Sequence, residues 1–110
     1  MMTVADLIAW LGEQPQDLPV IAYNDGMPCS PSLSIFEANS ALLIARPALF
    51  IGGPGEPATA SELAQRLTAY DGQLPVWVYD DGSFEDAAPV VVEAGDFYQF
   101  EKIDQRSIVI

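Results

Sequence analysis

Apolar residues near the start of the chain recur at helical spacing, then give way to a continuous apolar run. Val4, Leu7, Ile8 and Leu11 fall on one face of a helix predicted over Val4–Gly12. Thr3 stands before it with Asp6 three residues on, the spacing of a capping box in which Asp replaces the usual Glu or Gln. The polar turn Glu13–Asp17 leads into an apolar strand over Leu18–Tyr23. Asn24-Asp25-Gly26 follows, and Asp-Gly after an apolar run signals a tight hairpin. A return strand is predicted over Leu33–Glu37 and a third strand over Ala41–Ala45.

The pattern then repeats at an offset of 56. Thr59–Gly82 aligns with Thr3–Gly26 without a gap over 24 positions, nine of them identical. The identities are Thr3/Thr59, Leu7/Leu63, Leu11/Leu67, Leu18/Leu74, Pro19/Pro75, Val20/Val76, Tyr23/Tyr79, Asp25/Asp81 and Gly26/Gly82. In the second copy Thr59 and Glu62 make a full capping box, and Ala60, Leu63, Ala64 and Leu67 form the stripe. A strand follows over Leu74–Tyr79, then the Asp81-Gly82 hairpin and a return strand over Pro89–Glu93. Here the chain inserts an aromatic run, Phe97-Tyr98-Gln99-Phe100, and ends in Ser107–Ile110, which resembles Ser40–Ile44. Pro19 and Pro75 lack an amide donor, so they belong at a strand start or edge.

An internal repeat constrains architecture first. The expected fold class is α+β: two tandem αβββ-like repeats, residues 1–51 and 59–110, joined by a Gly/Pro linker over 52–58. The second repeat carries an extra strand. An approximate two-fold should relate the repeats, with the helices on one face of an antiparallel sheet. A lone 55-residue unit is marginal, so the copies should share a core.

Composition bears on partners more than on fold. Sixteen acidic residues face four basic ones, a net charge of −12. Residues 1–55 carry five acidic and one basic (net −4); residues 56–110 carry eleven and three (net −8). Such a chain repels nucleic acid and anionic membrane and attracts a basic protein surface, above all through its second half. No apolar run reaches membrane-spanning length and no basic region precedes an apolar stretch, so neither an anchor nor a secretory signal is expected. A single cysteine, Cys29, excludes an internal disulfide and fits a reducing cytoplasm. The apolar terminal strand Ser107–Ile110 is an edge on which another copy could pair as a homodimer.

The absence of histidine limits catalysis. Without it, no Ser-His-Asp or Cys-His arrangement and no ordinary structural zinc site can form within the chain. Cys29 has no cationic neighbour in sequence to activate its thiol, with Arg46 the one spatial candidate. Asp80-Asp81-Gly82-Ser83-Phe84-Glu85-Asp86 places four carboxylates in seven residues, but not at calcium-loop spacing. It reads as a solvated hairpin tip. Gly52-Gly53-Pro54-Gly55 lacks the Gly-Lys-Ser/Thr of a phosphate loop. Trp77, Tyr79, Phe97, Tyr98 and Phe100 lack the surrounding positive charge of a base-stacking groove, so an aromatic core or protein-contact face fits them better.

The opening Thr3-Val4-Ala5-Asp6-Leu7-Ile8, followed by Leu18-Pro19-Val20 and Asp25-Gly26, resembles small phage and prophage proteins of unknown function. These start Thr-Val-x-x-Leu-Ile, continue to Pro-x-x-x-Pro-Val and close in an acidic hairpin. The resemblance covers about 24 residues of each half and implies a compact α+β module in a bacterial host cytoplasm. It carries no catalytic residue or cofactor, and the duplication departs from the single-copy form.

The expected function is that of a non-enzymatic acidic inhibitor, of anti-CRISPR or DNA-mimic type. It would dock on a basic, nucleic-acid-binding host defence protein. The expected contact residues are Asp80, Asp81, Glu85, Asp86, Glu93 and Asp96. Direct nucleic-acid binding, membrane binding and cofactors are not expected. The alternatives are an immunity protein against a basic nuclease toxin, and a small-ligand binding or sequestering protein. The latter predicts a pocket between the repeats lined by Tyr23, Trp77 and Tyr79. An enzyme would have to work by carboxylate–metal hydrolysis.

Overall fold

A computed structural model describes residues 1–38, 46–99 and 101–110. The strand expected over Ala41–Ala45, the segment Ser40–Ile44 and Phe100 lie outside these. Both helices form where the apolar stripes place them: α1 over Val4–Gly12 and α2 over Ala60–Leu67. Each starts in a complete capping box. In α1 the Asp6 amide donates to Thr3 Oγ1 and the Thr3 amide to Asp6 Oδ2, both at 3.1 Å. In α2 the Thr59 amide donates to Glu62 Oε1 at 3.1 Å and the Glu62 amide to Thr59 Oγ1 at 3.3 Å.

The strands are β1 (Pro19–Asn24), β2 (Met27–Phe36), β3 (Ala48–Gly53), β4 (Ala58–Thr59), β5 (Val76–Asp80), β6 (Ser83–Asp86), β7 (Val90–Val92), β8 (Phe97–Tyr98), β9 (Glu101–Lys102) and β10 (Ser107–Val109). In the first half the return strand begins earlier than expected, at Met27; in the second half β6 pairs back on β5 directly after Asp81-Gly82, and the strand expected over Pro89–Glu93 forms as β7 but pairs with β10. Both turn residues take positive φ (Asp25 53°, Gly26 82°; Asp81 51°, Gly82 80°), the mirror-image turn that lets pairing resume at once. The insertion of the second half folds as a separate two-stranded hairpin, β8–β9, rather than as one strand.

The sheet is mixed rather than antiparallel. Its order is β6-β5-β3-β2-β1-β10-β7, with β4 beside β1. β1 with β10, β3 with β5, and β1 with β5 run parallel. Two of the parallel pairs arise because the last strand of each half crosses to the first strand of the other. β3 lies beside β5 (Leu49 against Val76, Phe50 against Trp77), and β10 lies beside β1 (Val20 against Ile108, Ile21 against Val109). Ser107–Val109 thus holds in the second half the place that Ala48–Phe50 holds in the first. Strand β10 is paired on both sides, with β1 and β7, and offers no edge to another chain. The two ends of the strand order, β6 and β7, are separated only by Ala87–Pro89, and the Ala87 amide still donates to Val76 O at 3.0 Å.

Contacts between the halves come in exchanged pairs. Val4 N donates to Leu74 O (2.9 Å), and Ala60 N donates to Leu18 O (2.8 Å). Ala5 N donates to Gly72 O (3.0 Å), and Ser61 N donates to Gln16 O (3.1 Å). Thr3 bridges Pro75, and Pro19 pairs with Thr59. Pro19 starts its strand and Pro75 immediately precedes one, where a missing donor costs least. One core results: Val4, Leu7 and Leu11 of α1, Ala60, Leu63 and Leu67 of α2, and Leu49, Ile51, Val76 and Ile108 of the strands are all fully buried. Burying a side chain of leucine or isoleucine size contributes about 1.5–3 kcal/mol.

Candidate protein-binding surface

The two Asp-Gly hairpins end side by side. Asn24 pairs with Tyr79, and the Asp25 amide donates to Tyr79 O at 2.8 Å. The Asp81 amide donates to Asp25 Oδ1 at 3.0 Å. This bond joins residues at matching positions of the sequence repeat and holds the two turns side by side. Asp80 is half-buried there, while Asp81 and Glu85 are exposed. On strand β6 the side chains alternate, so Glu85 shares a face with Ser83, opposite Asp80, and Phe84 and Asp86 share the other.

The six residues expected to touch a partner therefore divide. Asp80 and Asp81 stand at the turn of the second hairpin, and Glu85 lies along β6 across from Val78. Asp86 lies at the far end of β6, with Oδ2 3.9 Å from the N-terminal amino group. Glu93 is held by Arg106, whose Nε donates to Glu93 Oε1 at 2.9 Å. Asp96 is exposed in the turn before β8, its backbone carbonyl accepting from Ile103 N at 2.8 Å. Sequence reasoning missed Asp25 as a member of the cluster. Its identity with Asp81 across the repeat was the signal, read there as turn chemistry alone.

Basic side chains are mostly engaged elsewhere. Arg66 donates to Glu56 O (3.2 Å) and Pro57 O (3.0 Å), and Arg46 Nη2 lies 3.1 Å from Met1 Sδ. Arg46 therefore reaches Met1, not Cys29. The Cys29 thiol donates to Ala22 O at 3.5 Å, and burial pushes its pKa up, the opposite of activation. Among the described residues no three His, Cys, Asp or Glu side chains stand together to hold a metal ion.

Phe84 sits in an aromatic cluster with Phe36 (5.3 Å), Tyr79 (5.4 Å), Trp77 (5.7 Å) and Phe50 (6.2 Å). Tyr23 packs instead on Tyr98 of the inserted hairpin at 5.0 Å. Burial, and then Glu101 and Tyr98, push the Tyr23 pKa up. Among the described residues Tyr23, Trp77 and Tyr79 line no common cavity. Tyr23 lines a cavity of about 250 Å³ with Ile21, Glu101 and Lys102, while Trp77 and Tyr79 face Phe84. Among the described residues no helix is long and apolar enough to cross a membrane. No family model, curated protein or solved structure matches the chain.

Proposed function

We propose that this chain is a non-enzymatic acidic binding protein of phage or prophage origin, acting in a bacterial host cytoplasm. It occupies the basic, nucleic-acid-binding surface of a host defence protein, as an anti-CRISPR inhibitor or DNA mimic does. The observation that supports this reading is the Asp25–Asp81 contact, which joins the two hairpin turns and sets Asp25 beside the exposed Asp81. Carboxylates grouped in this way, on a chain of net charge −12, attract a cationic surface and speed its approach. Asp86, Glu93 and Asp96 contribute to the wider negative field of the second half. Two αβββ-like repeats related by an approximate two-fold form the scaffold, and the exchanged pairs of backbone hydrogen bonds support that relation. An immunity protein against a basic nuclease toxin would use the same chemistry on a different partner.

The test is capture from bacterial lysate on the immobilised chain. A nucleic-acid-binding protein should be retained at low salt, released at high salt and displaced by duplex DNA. The triple variant Asp80→Asn, Asp81→Asn, Glu85→Gln should lose it. Retention indifferent to salt, to DNA and to the triple variant would refute the proposal.

A further inference from the structure

We infer that the surface between the two halves is a self-complementary interface that holds them together without the covalent connection. The covalent connection is dispensable for association. This stands apart from the acidic docking surface. In a self-complementary interface, residue i of one unit contacts j of the other while j contacts i. The chain does this at each helix start: Val4 to Leu74 is matched by Ala60 to Leu18, and Ala5 to Gly72 by Ser61 to Gln16. It does so again in the strands, because β3 completes the second half beside β5 and β10 completes the first beside β1. Leu49 and Ile51 of β3 and Ile108 and Val109 of β10 are fully buried, so neither half keeps its core alone. The connection itself, Pro54–Pro57, is exposed and outside any strand.

A protease recognition sequence inserted between Gly55 and Glu56 of the full chain tests this, since lengthening a surface loop costs little. After cleavage the fragments should co-elute at the size of the uncut protein and keep its circular dichroism. Their unfolding midpoint should rise by roughly 7 °C per tenfold increase in concentration, because unfolding now separates two chains. The uncut protein should show no such dependence. Fragments that elute apart, folded or not, or a nicked midpoint independent of concentration, would overturn the inference. Hydrogen exchange on the unmodified chain gives a second reading that needs no insertion. The amides of Val4, Ala5, Ala60 and Ser61 should exchange only with global unfolding, as slowly as that of Ile51. Earlier exchange at these four positions would mean that the halves part without unfolding, and the inference would fail.

Discussion

At Asp25 and Asp81 the backbone holds φ of 53° and 51°, a conformation that Asp tolerates better than most side chains. Gly26 and Gly82 follow at 82° and 80°. A Cβ at Gly82 would meet nothing within 4 Å, and one at Gly26 would only touch Gln99 Oε1 at 3.5 Å. The cost of alanine there is therefore conformational. Gly26→Ala and Gly82→Ala should each lower stability by about 1–2 kcal/mol in urea unfolding, and by nearly equal amounts. The capping carboxylates add a pH dependence. The Thr59 amide and then its hydroxyl hold the Glu62 pKa below its usual value, as those of Thr3 do for Asp6. A lowered folded pKa means the contribution is complete above the ordinary carboxylate pKa and is lost as pH falls through the folded value. Glu62→Gln keeps the cap without the charge. Its stability deficit at neutral pH should shrink toward zero on acidification, and a deficit unchanged by pH would contradict this origin.

The helices are equivalent elements with equivalent anchors. Leu7 and Leu63 are both fully buried, so Leu7→Ala and Leu63→Ala should each cost about 2–5 kcal/mol in urea unfolding. Helices, caps and hairpins were legible in the sequence because each is set by neighbours within a few residues. Strand β3 was not. Its residues are buried at nearly every position, so they show no alternation, and its Gly52-Gly53 end reads as linker. Its partner β5 lies more than twenty residues away, and local pattern does not signal such a crossing. The same limit divided the candidate site. Asp80 and Asp81 are adjacent in sequence and stay at the turn, with Glu85 two pairs along the same hairpin. The partners of Asp86 and Glu93, the N-terminus and Arg106, come from distant parts of the chain.

Across the whole molecule, duplication and charge have separate consequences. The shared residues build caps, stripes and turns, and the strand exchange binds the halves into one core. The charge is uneven, −4 in residues 1–55 and −8 in residues 56–110, and the hairpin contact sets Asp25 of the first half beside Asp81 of the second. The most direct measurement is the affinity of the captured partner for the chain at salt from about 0.05 to about 0.5 M, with and without Asp80→Asn, Asp81→Asn, Glu85→Gln. Affinity should fall at least about tenfold across that range, and the triple variant should bind more weakly with a shallower salt dependence. A parent affinity that barely changes with salt, or a triple variant that binds as the parent does, would contradict docking through the hairpin end.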